Sequence, residues 1–270
     1  MRCLRRMVWL VSLMAARLAA VEIVAHRGAS HDAPENTVAS ARLAWSQGAD
    51  AVETDIHLTK DGRIIVCHEK ITGRTTGYDG LIPAMTLAEL RALDAGRWKG
   101  PAFAGEKLPL LEEQLALIPA GRTMLVEIKT GPEIVPELRR VLAAAGVTER
   151  DVTVISFNLE TLKAVRRELP AFRTLYLMGY KAPDAKDPKA KRPPVIDDVI
   201  RDAKAAGLTG LDLQHTWPLT PPEVKRVRDA GLELHVWTVD DPAVARRWIG
   251  LGVASITTNR PGWLREQLRP

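Results

Sequence analysis

Short apolar runs and amphipathic stretches alternate along most of the chain. Val21–Ala25 reads as a strand running into His26-Arg27-Gly28. A helix follows Pro34-Glu35-Asn36-Thr37, with Asn36 or Thr37 as N-cap, and Gly48 closes it. Ala51–His68 reads as two strands joined by a tight turn at Thr59-Lys60-Asp61-Gly62. Beyond it, apolar strands are expected at Met124–Ile128, Val152–Ile155, Arg173–Met178, Leu211–Leu213, Leu234–Val239 and Ala254–Thr258. Between them lie helical patterns at Pro136–Ala145, Leu159–Glu168, Val195–Ala206, Pro222–Ala230 and Ala243–Ile249, several stopped by glycine. Glu112–Ile118 is also expected to be helical.

Strand alternating with helix predicts a parallel sheet covered by helices. Several strands end in polar residues, and in a (β/α)8 barrel the C-terminal ends of the strands form the working face. An open doubly wound sheet competes, but no Gly-rich phosphate loop follows the first strand. The fold class expected is therefore α/β, a distorted (β/α)8 TIM barrel over residues 21–270. Residues 69–107 break the alternation, being rich in Gly, Thr and charge with a short helix around Leu87–Leu93, and read as an insertion after the third strand. Nine candidate strands for an eight-stranded barrel leave one as a hairpin arm or loop. Lys181–Pro194 reads as an exposed loop.

The hairpin strand carries the chemistry. Alternation puts Glu53 and Asp55 on one face of it, where a core would call for Val or Ile. A hairpin centred between Lys60 and Asp61 sets Glu53 across from His68. Ionised carboxylates facing a core are costly unless something positive answers them. Glu127, at the end of another strand, adds a third hard carboxylate, and such a cluster is best relieved by one divalent cation, Mg²⁺ or Ca²⁺. His26, Arg27, His68 and Lys129 surround it with donors and proton carriers; an Arg and a Lys beside a metal suit a phosphate group. His57 shares the Glu53 face but lies near the turn and is expected to be solvated. Cys67, pointing away from His68, is expected in the core. Trp237 is expected as an apolar wall of a glycerol-sized pocket, with Phe157 a weaker candidate.

Charge adds one exclusion. The chain has a formal charge of +5, but residues 1–20 carry four arginines and no acid, leaving +1 for the rest. That balance gives no electrostatic case for nucleic acid. The same twenty residues combine a basic start, the apolar run Met7–Ala16 and small residues at Ala19-Ala20, the pattern of a signal peptide too short to span a bilayer. An exported protein, periplasmic or secreted, is expected if the leader works, and a cytoplasmic one otherwise. No stable membrane span is expected.

His26-Arg27-Gly28, Pro34-Glu35-Asn36-Thr37, Gly48-Ala49-Asp50 with Glu53 and Asp55, Asp61-Gly62 with His68, Glu127-Ile128-Lys129, Trp237-Thr238-Val239 and Thr258-Asn259-Arg260-Pro261 together resemble the glycerophosphodiester phosphodiesterase family, from about residue 22 to 262. The resemblance implies a metal-dependent hydrolase of glycerophosphodiesters releasing glycerol 3-phosphate and an alcohol, hence a small-molecule partner. It implies His26 and His68 as acid and base, Glu53, Asp55 and Glu127 as metal ligands, and Arg27 and Lys129 as phosphate contacts. Glu69 stands where that family usually has Asp, Asn259 where Asp is more usual, and Ala254 where Asp is frequent. None of these is a metal ligand or catalytic histidine, so they bear on geometry and preference and leave the reaction itself intact.

Three other functions compete. A glycoside hydrolase on the same barrel would use Glu53 and Glu127 as its carboxylate pair but leave Asp55, Arg27 and both histidines without work. A phospholipase-like enzyme would need an apolar rim. A binding barrel would have no need of His26 and His68.

Overall fold

The computed structural model describes residues 21–182 and 193–269. Nine strands share one sheet: β1 (Glu22–Ala25), β2 (Ala51–Leu58), β3 (Ile64–Val66), β4 (Thr123–Ile128), β5 (Val152–Ser156), β6 (Arg173–Met178), β7 (Gly210–Gln214), β8 (Glu233–Trp237) and β9 (Ser255–Thr258). Eight run parallel, and β1 pairs with both β2 and β9, so the sheet closes on itself. The supernumerary strand is β3, whose strand partner is β2, antiparallel to it, with one further bridge from Ile65 to Leu110. The fold is the expected TIM barrel, and the strand in excess of eight is the hairpin arm β3.

The helices form because their apolar positions repeat on one face. Helix Val135–Ala145 buries Val135, Leu138, Val141 and Leu142, one stripe at helical spacing, against the outside of the barrel. Gly146 ends it in the left-handed conformation that glycine adopts without a Cβ penalty. Helix Pro242–Leu251 does the same with Ala245 and the fully buried Trp248, after a start capped by Asp241. Inside the barrel, Val24, Ala51, Leu125, Ile155, Leu175 and Leu177 pack as a separate apolar cluster, with Trp237 against it. Among the described residues no helix is long and apolar enough to cross a membrane.

The insertion leaves after β3 and returns before helix Leu111–Leu115. It contains the short helices Gly73–Thr76 and Leu87–Ala92 and has a small core of its own, in which Ile82, Leu90, Ala95 and Leu108 pack on Ile65 and Cys67. Cys67 is thus in the core, as its position implied. Residues 1–20, and with them the expected leader, lie outside the described residues, as do residues 183–192 of the expected loop.

The hairpin register differs from the expected one. Ile56 pairs with Val66 and Leu58 with Ile64, so the hairpin is centred on Asp61 and its loop has three residues. Gly62, at φ 72°, takes the left-handed position that a three-residue loop requires. The odd residue shifts the ladder by one: the backbone amide of Cys67 donates to Asp55, and His68 does not sit across from Glu53. His57 is also not solvated. It is buried, its Nε2 lies 3.2 Å from the carbonyl of His68, and burial lowers its pKa. Near the turn, the insertion covers what an isolated hairpin would expose.

Candidate active site

β2 and β4 run side by side in register, with Asp55 opposite Glu127 and Glu53 opposite Leu125. Because parallel neighbours in register point the same way, Glu53, Asp55 and Glu127 converge inside the barrel near its C-terminal rim. Each offers a carboxylate oxygen, and these three atoms lie within 4.8 Å of one another. All three residues are buried. Burial, then the charges of Asp55 and Glu127, push the Glu53 carboxyl well above the usual carboxylate range. Burial and Asp55 likewise push Glu127 up to about 8, against the pull of Lys129. Asp55 shifts the other way: burial raises it, but Lys129 and Arg27 together bring it below its ordinary value.

The triad fits a hard divalent cation. Glu53 Oε1 and Asp55 Oδ1 are buried and have no hydrogen-bond partner. Oxygens bound to one ion at about 2.0–2.6 Å stand at most about 5 Å apart, the spread found here. An oxygen-only donor set of carboxylates is the kind that Mg²⁺ and Ca²⁺ take.

The loop after β1 supplies the residues facing the triad, and its backbone is unusual. Among the described residues, Arg27 and Asn36 are the two non-glycine residues with positive φ, at 57° and 58°, a conformation that costs energy and must be held in place. The Arg27 amide donates to Glu53 Oε2 at 2.9 Å. Asn36 Nδ2 donates to Asp55 Oδ2 at 2.8 Å, and its Oδ1 accepts from the Asp55 amide at 3.2 Å. Asn36 is therefore a clamp on Asp55, and Thr37 is the N-cap of helix Val38–Ser46. Gly28 fits where nothing larger would: a Cβ there would meet Ser40 at 2.5 Å, and its φ is 79°.

The side chains around the triad complete the site. Arg27 Nε lies 3.4 Å from Asp55 Oδ2, and Lys129 Nζ donates to Glu127 Oε1 at 2.7 Å and stands 3.4 Å from Asp55 Oδ1. His26 Nδ1 faces Asn259 Oδ1 at 2.7 Å, and burial followed by the Arg27 charge lowers its pKa to about 4, so the ring is neutral at pH 7. His68 Nδ1 lies 3.0 Å from Glu69 Oε1. A cavity of about 200 Å³ is lined by His26, Arg27, Glu53, His68, Glu127 and Lys129 on one side and by Phe157, Leu177 and Trp237 on another. Phe157 and Trp237 meet edge to face at 5.5 Å between centroids, so both aromatic candidates wall the same cavity. The nine residues proposed for the site from the sequence, Phe157 included, lie together, with Asp55 just behind the lining.

Two residues of the site went unnoticed in the sequence. Asp212 on β7 lines the cavity, is buried, and has an Oδ1 without a partner; burial lifts its carboxyl to about 7. Asp240 accepts from the amide group and the backbone of Asn259 and so fixes the residue that faces His26. Asp212 sits in an ordinary strand pattern, and the only signal was a carboxylate at an inward position.

This chain has known relatives. The glycerophosphoryl diester phosphodiesterase family model matches residues 26–263. A glycerophosphodiester phosphodiesterase of Caldanaerobacter subterraneus subsp. tengcongensis is 33% identical over 92% of this chain and 97% of its own. One from Bacillus subtilis is 31% identical over 88% of this chain and 83% of its own. Among solved structures, an Oleispira antarctica phosphodiesterase in complex with the product sn-glycerol-3-phosphate superposes with a TM-score of 0.81, at 28% identity, over 92% of this chain and 96% of that one.

Proposed function

We propose how this chain, which belongs to the glycerophosphoryl diester phosphodiesterase family, carries out its reaction. Its activity is that of a phosphoric diester hydrolase acting on glycerophosphodiesters. The finer reading is that it releases glycerol 3-phosphate and an alcohol, with one divalent cation held by Glu53, Asp55 and Glu127 and with His26 and His68 moving the protons. The observation that carries this reading is the convergence of three buried carboxylates, their oxygens within 4.8 Å, in a cavity that two imidazoles and two cationic side chains also line.

A bound divalent cation would supply positive charge to the phosphate oxygens, the main demand of phosphoryl transfer. The chain's own groups do the rest. Arg27 offers a planar fork for two phosphate oxygens and Lys129 a point charge, both already in the cavity. His26, neutral at pH 7 with Nδ1 committed to Asn259, leaves Nε2 as the proton acceptor for the nucleophile. His68, with Nδ1 turned to Glu69, presents Nε2 as the donor to the departing oxygen. Phe157, Leu177 and Trp237 exclude water from the organic part of the substrate. Export through residues 1–20 stays part of the reading, because a basic start, an apolar run and small residues form a leader pattern.

The test is incubation with glycerophosphocholine, with and without chelator, followed by assay of glycerol 3-phosphate. Release that the chelator abolishes and Mg²⁺ or Ca²⁺ restores is the expected result. Release that is indifferent to the chelator would overturn the metal-dependent reading.

A further inference from the structure

Arg74 sits on the helix Gly73–Thr76 of the insertion and is absent from the lining of the cavity. It nevertheless makes four charge-assisted hydrogen bonds directed at the site. Nε donates to Glu69 Oε1 at 2.8 Å and Nη2 to Glu69 Oε2 at 2.7 Å. Nη1 donates to Glu35 Oε2 at 2.9 Å, and Nη2 also to Glu35 Oε1 at 2.6 Å. Each carboxylate has one further partner. Glu69 Oε1 faces His68 Nδ1 at 3.0 Å, and Glu35 Oε1 accepts from Arg27 Nη1 at 2.9 Å. One guanidinium therefore joins the carboxylate that orients His68 to the carboxylate that orients Arg27.

Alternating charge runs from Arg27 through Glu35 and Arg74 to Glu69, whose Oε1 faces His68 Nδ1. Among the described residues, the side chain of Glu69 is held by His68 and Arg74 alone. Without Arg74 only the contact with His68 would restrain its three side-chain torsions, and the ring would lose a firmly fixed partner. The fork matters: a lysine is a point charge and cannot engage both carboxylates edge-on at once. On the outer side, the Trp98 ring lies 5.9 Å from the Arg74 guanidinium. Arg74 is 43% exposed, where a single ion pair adds little to stability, whereas a bidentate network adds more, so melting curves must accompany the kinetics of its variants.

We propose that Arg74 is a positioning residue for the reaction: by fixing Glu69 on His68 and Glu35 on Arg27, it sets the placement of the proton-donating ring relative to the phosphate-holding guanidinium. The insertion thereby becomes part of the catalytic apparatus and not only a cover. This proposal rests on the roles given above to His68 and Arg27.

The test is steady-state kinetics with glycerophosphocholine and the activating metal on Arg74→Ala, Arg74→Lys, Glu69→Gln, Arg74→Ala/Glu69→Gln and His68→Ala, with a melting curve for each. Misplacement of a reacting group from outside the site costs up to about 10²-fold in rate. Arg74→Ala is expected to lower kcat by about 10- to 100-fold, and Arg74→Lys to recover less than half of that loss on a logarithmic scale. The double variant is expected to be little worse than its poorer parent, because both changes undo one arrangement. Losses that multiply in the double variant, or full activity in Arg74→Lys, would overturn the proposal, and the lysine variant gives that answer even if alanine fails to fold. The His68→Ala protein separates the failures. If it keeps its rate, the role of His68 falls and the proposal falls with it; if it is inactive while the Arg74 and Glu69 losses multiply, the proposal alone falls.

Discussion

His26 Nδ1 lies 2.7 Å from Oδ1 of Asn259, and the orientation of that amide is not free. Asn259 Nδ2 donates to Asp240 Oδ2 at 2.6 Å, and its backbone amide donates to Asp240 Oδ1 at 2.8 Å. With its nitrogen committed to Asp240, the amide turns its oxygen to His26, so Nδ1 of the ring carries the proton and Nε2 is bare. An aspartate here would set two carboxylates against each other, so the asparagine follows from the presence of Asp240.

Asn259→Asp is accordingly expected to raise the His26 pKa from about 4, since a negative charge would replace a dipole beside the ring. The acid limb of kcat/KM should move to higher pH, as would the imidazole titration followed by NMR. A limb that stays in place would mean that His26 is not the base.

Either histidine replaced by alanine is expected to cost on the order of 10²–10⁴ in kcat/KM with the fold retained, the usual worth of a positioned acid or base. His57→Ala, which removes a buried ring bonded to the His68 carbonyl, is expected to act mainly on stability. Kinetics paired with melting curves distinguish the two kinds of loss.

The acidic triad gives a prediction whose sign reverses with metal. Burial beside Asp55 and Glu127 holds Glu53 above its ordinary pKa, so in metal-free protein its charge is a burden. Glu53→Gln should raise the melting temperature without divalent cation. Saturating Mg²⁺ or Ca²⁺ should stabilise the unchanged protein, by about 2.7 kcal/mol at a hundred times Kd, and the variant much less. Equal metal-induced shifts in both proteins would remove Glu53 from the ligand set.

Asp212 predicts a pH dependence of stability. Its folded-state pKa, raised from 3.8 to about 7, exceeds the unfolded value, so as pH rises the unfolded chain loses its proton first. Stability is therefore lost between about pH 4 and pH 7, by an amount of up to about 4 kcal/mol for a fully buried group. Asp212→Asn should melt higher than the unchanged protein at pH 8 and about level with it at pH 4. A variant less stable at both would show that the carboxylate has a partner in solution.

Much of this was legible in the chain because strand ends and motif order are local features. Glu53 and Asp55 declared themselves by standing at alternate positions of a strand that should have been apolar. The hairpin register was not legible, because a single left-handed Gly62 decides whether the loop has two residues or three, and every pairing beyond it moves by one. His57 was misjudged because its burial comes from the insertion, whose path alternation does not encode. Asn36 could have been a cap or a ligand clamp; both uses want an asparagine at the head of a helix, and only the approach of Asp55 separates them.

The left-handed backbone at Arg27 and Asn36 has a consequence for how the site is assembled. Each of these residues is tethered to a different acidic side chain of β2, Arg27 to Glu53 and Asn36 to Asp55. The loop after β1 is therefore latched to the same two acids proposed to grip the ion. Removing those carboxyl groups would loosen the latch as well as the grip, so the shape of the loop after β1 is coupled to the acids that face it.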